Sequence, residues 1–115
     1  MAPLKHGDIR NAYLEALGPL RRRNFVIWRP LAADWLRENL EDWVQADVVK
    51  LMYEYINGGG EIDQVVETRP PWKYDHDFRY DVRPSINGRK IYLETVLDEQ
   101  APGGPTILIV NMKYA

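Results

Sequence analysis

Phe78-Arg79-Tyr80-Asp81-Val82-Arg83-Pro84-Ser85-Ile86-Asn87-Gly88-Arg89-Lys90-Ile91-Tyr92-Leu93-Glu94-Thr95-Val96-Leu97 is the stretch on which the fold turns. Two alternating arms flank Asn87-Gly88, a pair suited to a type I′ turn because both central residues of that turn need positive φ. The turn sets the register. Ile86 is expected opposite Arg89, Arg83 opposite Tyr92, Asp81 opposite Glu94 and Arg79 opposite Val96. Because side chains alternate along a strand, one face then carries Phe78, Tyr80, Val82, Ile91, Leu93, Thr95 and Leu97. The other carries Arg79, Asp81, Arg83, Tyr92, Glu94 and Val96. The first set is a core face. The second is a polar surface on a stiff platform, where function is sought first.

Upstream, Glu61–Thr68 is rich in β-formers at its centre and predicts a strand. Between it and the hairpin, Arg69-Pro70-Pro71-Trp72-Lys73-Tyr74-Asp75-His76-Asp77 predicts a loop, extended at its two prolines, with the aromatic and cationic content of a contact segment. Downstream, Thr106–Tyr114 is apolar on both faces before it turns polar, as suits an inner strand. Asn57-Gly58-Gly59-Gly60 ends a helical stretch. A phosphate-cradling role for the glycines is disfavoured, because such loops precede a helix.

The N-terminal half is helical. Asp8 is positioned to cap a helix through Leu17. Leu31 to Ile56 repeats apolar residues every three to four positions, as one helix or two, with Trp35 and Trp43 in its stripe. That stripe serves a core, or alternatively lines a small-molecule pocket. Phe25–Trp28 is a short apolar run of strand type. Arg21-Arg22-Arg23 reads either as a solvated helix end or as a phosphate-binding patch. The expected architecture is α+β, with N-terminal helices packed on one face of an antiparallel sheet of about four strands. One domain is expected over 1–115, mainly helical in 1–57 and sheet in 61–115.

The chain has 115 residues and a net charge of −2. Residues 1–68 hold 8 Lys/Arg against 11 Asp/Glu, and 69–115 hold 7 against 6, so a basic binding patch has to be local. With no cysteine, thiolate metal sites and a Cys nucleophile are excluded. Ser85 is the only serine, which argues against a serine hydrolase. Neither a P-loop nor a zinc-protease motif occurs. No apolar run is long enough for a bilayer. The expectation is a cytoplasmic protein without membrane contact, metal or cofactor.

Candidate chemistry gathers on the second hairpin face. Asp81 opposite Glu94 is an adverse pair that needs neutralisation by Arg79, Arg83, a proton, a metal or a ligand. Arginine forks match phosphate geometry. Glu94 or His76, the latter flanked by Asp75 and Asp77, has the chemistry to move a proton. Arg79 and Arg83 join Glu94 and His76 as the candidate catalytic groups, and Tyr92, Arg69 and Trp72 are candidate binding groups. A non-catalytic alternative uses the same face and the Trp72 loop to bind a protein partner or a second copy of the chain.

Phe78-Arg-Tyr-Asp-Val-Arg83, Ile86-Asn-Gly-Arg89, Ile91-Tyr-Leu-Glu-Thr95 and Ile107-Leu-Ile-Val-Asn-Met-Lys-Tyr114, following helices, resemble the small ribonuclease toxins of the RelE kind and their barnase- and colicin-type relatives. The resemblance covers about residues 40–114 and lies in layout. It implies metal-independent RNA cleavage by the 2′-hydroxyl, with an antitoxin as protein partner. Arg79, Arg83, Lys113 and Tyr114 would hold the scissile phosphate, and Glu94 or His76 would move protons. Toxins of this kind are usually basic, and this chain is acidic.

Overall fold

The computed structural model describes residues 6–18 and 25–115. The arginine run 21–23 lies outside them. Asn87 and Gly88 have φ of 53° and 80°, as the type I′ turn requires. The turn joins β4 (Ser85–Ile86) to β5 (Arg89–Asp98), with β3 (Phe78–Val82) preceding them. Tyr80, Asp81 and Val82 face Thr95, Glu94 and Leu93, and Ile86 faces Arg89. The register is the expected one. The first arm is nevertheless split into β3 and β4 at Arg83-Pro84. A proline cannot donate to a ladder, though the Pro84 carbonyl accepts from the Ile91 amide at 2.8 Å.

The sheet extends on both sides. β2 (Ile62–Val66) pairs antiparallel with β3, and β6 (Thr106–Tyr114) pairs antiparallel with β5. β1 (Val26–Trp28) then pairs parallel with β6. The order is β1-β6-β5-β3-β2, with β4 alongside β5. The sheet is therefore mixed, with six strands in place of about four antiparallel ones. The cause is the apolar β6. Both of its flanks are covered when the Val26-Ile27-Trp28 run comes back beside it, across a connection long enough to pair in parallel. β6 also holds a bulge, since Glu94 faces Asn111 while Thr95 faces Ile109. The extra residue, Val110, shifts the alternation and keeps Ile107, Ile109 and Met112 all buried.

Among the described residues, four helices accompany the sheet: α1 (His6–Leu17), α2 (Pro30–Asn39), α3 (Gln45–Asn57) and the short α4 (Trp72–Asp75). Asp8 lies in the first turn of α1 and does not precede it, a position that still suits the helix dipole. The long apolar stripe breaks at Leu40–Val44 into α2 and α3. The Asp47 carboxylate accepts from the Val44 amide at 3.0 Å there, opening α3. The glycines close α3: the Gly60 amide reaches the Tyr55 carbonyl at 2.7 Å. A Cβ on Gly60 would stand 2.6 Å from the Tyr55 ring, so the close approach explains that glycine. Arg10 of α1 donates to the Gly60 carbonyl at 2.9 Å and to that of Ile56, which also accepts from the Gly59 amide at 3.1 Å, and the arginine thereby ties α1 to the end of α3.

The core joins buried helix residues, among them Ile9, Tyr13, Leu36, Val48, Met52 and Ile56, to Tyr80, Val82, Ile91, Leu93 and Ile109 of the sheet. Tyr13 packs edge-on against Tyr80 at 5.9 Å. Its hydroxyl meets that of Thr95 at 2.6 Å, which in turn donates to the Tyr80 carbonyl at 2.7 Å. Trp35 of α2 meets Tyr114 edge-on at 4.9 Å.

Candidate functional site

Strand pairing places four polar residues in one row across the second face: Asp63, Asp81, Glu94 and Asn111. Three are carboxylates on adjacent strands, an arrangement that repels itself unless cations intervene. The face is also not the open surface expected of it. Asp81 and Glu94 are each only 3% exposed. The segment after β2 turns back over the sheet, because Arg69 reaches Glu94 on β5 and Trp72 lies under Arg29, just beyond β1, at 5.5 Å.

Arg69 is the central cation. Its guanidinium bonds both oxygens of Glu94, at 2.6 and 3.2 Å, and both of Glu67, at 3.1 and 3.2 Å. Its amide also donates to Glu67 at 3.0 Å. A planar fork suits two carboxylates in this way. Burial pushes the Glu67 carboxyl up, but the Arg69 bonds outweigh it and hold the group below its ordinary value. Those same bonds hold the Arg69 guanidinium above its own.

Asp81 is served less well. Arg79 approaches it at 3.7 Å, and neither Arg79 Nε nor Asp81 Oδ1 has a hydrogen-bond partner. Burial pushes Asp81 up, and the Tyr92 hydroxyl and the Arg79 charge do not cancel that push. Arg83, the other expected neutraliser, is engaged elsewhere, in an ion pair with Asp63. The hydroxyl of Tyr92 donates to Glu94 at 3.3 Å. Burial and the two nearby carboxylates keep that phenol firmly protonated. Arg83 and Lys113 flank the Tyr92 ring at 5.4 and 5.1 Å.

Charge on this face is layered by depth. The side chains of Glu67, Glu94 and Asp81 are 0, 4 and 5% exposed, whereas those of Arg69 and Arg83 are 44 and 41% exposed. Lys113 is exposed as well. Solvent therefore meets Arg69, Arg83, Lys113, Tyr92 and the part-exposed Asp63 over a floor of buried Glu67, Asp81 and Glu94, with Arg79 largely covered among them. At the β4 end, Arg83 and Asp63 join Tyr55, Glu61, Ser85 and Lys90 around an open hollow of about 500 Å³.

Six of the candidate residues thus share one face: Arg69, Arg79, Arg83, Tyr92, Glu94 and Lys113. Tyr114 does not join them. It follows Lys113 and takes the opposite face, between Trp35 and Arg89, whose guanidinium lies 3.5 Å from the ring centre. His76 is half-buried beside Trp72 at 6.3 Å, in a cluster of its own. Sequence reasoning missed Glu67 as a partner. The Glu67-Thr68-Arg69 spacing was its one signal, and only the turn after β2 makes it count. Among the described residues no cluster of three side chains is set to hold a metal ion, and no helix is long and apolar enough to cross a membrane. No protein-family model matches the chain, and neither the curated proteins nor the solved structures yield a match.

Proposed function

We propose that the second sheet face binds single-stranded RNA and cleaves it without a metal ion, as a toxin-like ribonuclease does. The depth layering carries the reading. A face that buries Glu67, Asp81 and Glu94, leaves Asp63 paired with Arg83, and turns Arg69, Arg83 and Lys113 outward offers local cations of the sort that neutralise phosphates. The N-terminal helices contribute to the core on the other face, so in this reading the substrate shares this one with the 67–77 segment. Tyr92 between two cations, with Trp72 and the exposed Tyr74 on the neighbouring segment, supplies ring faces on which unpaired bases stack.

The reaction suited to these groups is attack of the ribose 2′-oxygen on the adjacent phosphorus. That bond forms as the bond to the 5′-oxygen breaks, leaving a 2′,3′-cyclic phosphate. The 2′-hydroxyl gives up its proton and the departing oxygen gains one. Glu94, held by Arg69, is the acceptor in this scheme. Asp81, whose carboxyl burial pushes above its ordinary value, is assigned as the donor in this scheme. Arg83 and Lys113 hold the phosphate. A cytoplasmic site of action and an inhibitory protein partner belong to the same reading.

A non-catalytic interaction module is the competing reading. Its support is that Arg69 saturates Glu94 and Asp63 engages Arg83, as in a purely structural lattice. Incubation of the protein with a single-stranded RNA oligonucleotide and its 2′-deoxy counterpart, in EDTA, separates the two. Cleavage of the RNA alone, ending in a cyclic phosphate and abolished by Arg83→Ala with the fold retained, is expected. Intact RNA at every protein concentration sinks the nuclease and favours the module.

A further inference from the structure

The outer side of α2 and α3 carries a different surface, which the nuclease reading does not use. Two adjoining hollows, of about 340 and 400 Å³, share Trp43 as their common wall. The first is floored by Leu36 and Leu40 and lipped by Val44, a β-branched apolar side chain left 61% exposed. The second runs along α3 past Leu51, between Asp47 and Glu54. The two hollows form a shallow trough whose apolar lining is Leu36, Leu40, Trp43, Val44 and Leu51, at roughly helical spacing.

Its rim is acidic. Residues 31–57 contain Asp34, Glu38, Glu41, Asp42, Asp47 and Glu54 against Arg37 and Lys50 alone, all of them exposed. Of these, Glu41, Asp47 and Glu54 line the two hollows together with Arg37 and Lys50, and Arg37 is already paired with Asp34 at 2.7 Å, which leaves three lining carboxylates against Lys50. An apolar floor with a net negative rim disfavours nucleic acid and anionic lipid. It matches an apolar ridge bordered by Lys or Arg.

We propose that the α2–α3 trough docks a cationic amphipathic helix of a protein partner, its apolar residues entering beside Trp43 and Val44 and its cations meeting Glu41, Asp42, Asp47 and Glu54. Helix-in-groove recognition of this kind uses anchors at i, i+3, i+4 and i+7. Two hollows on either side of one tryptophan offer places for such anchors. The site lies on other elements than the second sheet face, so it stands or falls apart from RNA cleavage.

The test is a titration of the 15N-labelled chain with a 14-residue peptide of Leu and Lys that forms one apolar and one cationic helical face. A Leu/Glu peptide of the same pattern is the control. Saturable shifts confined to residues 33–54, absent with the Leu/Glu peptide, are expected. The exposed double substitution Glu41→Lys/Asp42→Lys, and separately Val44→Asp, should each weaken binding by about tenfold. Shifts centred on Arg69, Arg83 or Lys113, equal binding of the Leu/Glu peptide, or charge reversal that changes affinity less than twofold would overturn the proposal. Val44→Asp tests the apolar lip without removing an existing rim charge, so a destabilised double variant does not leave the question open.

Discussion

Replacing Arg69 with methionine keeps most of the apolar stem and removes the one cation that Glu67 and Glu94 share. Both carboxylates are then buried without a close ion partner. Breaking a fully buried ion pair from one side costs about 3–5 kcal/mol. The Arg69 side chain is 44% exposed, so water enters the vacated space and solvent screening reduces the loss. A cost of about 2–3 kcal/mol at pH 7 is the resulting expectation, or a Tm lower by about 8–12 °C for a chain of this size. The pH dependence gives the sign. In the parent, Glu67 sits below its ordinary value. Its contribution is therefore present above the unfolded carboxylate value and lost as pH falls through the lower folded one. Without Arg69, burial is the main influence left on Glu67, and protonation relieves the strain. The difference between variant and parent should be largest near pH 7 and shrink towards pH 4. Urea unfolding at both pH values measures it. A cost under about 0.5 kcal/mol, or one that is the same at pH 4 and pH 7, would refute the assignment of Arg69 as the neutralising group.

Asp81→Asn should behave in the opposite sense. A carboxyl whose folded pKa is raised loses stability as pH rises through the window between its unfolded and folded values. The variant should gain on the parent across that window and hold its advantage above it, as urea titrations from pH 4 to pH 8 would record. Tyr13→Phe removes the donor to Thr95 in the core and should cost about 1 kcal/mol, read from the urea midpoint at constant m. Gly60→Ala forces a methyl group against the Tyr55 ring and carbonyl and should cost about 1–3 kcal/mol by overpacking, whereas the exposed Gly7→Ala should not destabilise the chain.

The register of the hairpin was legible because it is local. Asn87-Gly88 selects its turn through backbone sterics at two residues, and alternation carries the consequence to Asp81 and Glu94. The break at Pro84 belongs to the same local chemistry. The helical half was legible as apolar spacing, though not where it divides into α2 and α3. The parallel β1–β6 pair was not legible. Val26 meets Ile107 across some eighty positions, and no local propensity scores such a partner. The bulge at Val110 escaped for a similar reason, since only the fixed register of β5 shows that β6 has a residue to spare.

By itself, the sequence determined that Asp81 and Glu94 stand side by side and that an arginine, a proton, a metal or a ligand has to neutralise them. Only the tertiary structure decided which one. The candidates within the hairpin, Arg79 and Arg83, are held by their strands. Arg79 stops 3.7 Å short of Asp81, and Arg83 turns to Asp63 on the edge strand. Arg69 lies 25 positions before Glu94 and arrives through a turn that also buries Glu67. Depth followed from that same closure. Alternation tells which face a side chain takes, but not whether another segment of the chain will cover it. The buried acidic floor under a cationic surface is therefore a property of the packing of 67–77 onto the sheet, which no single strand encodes.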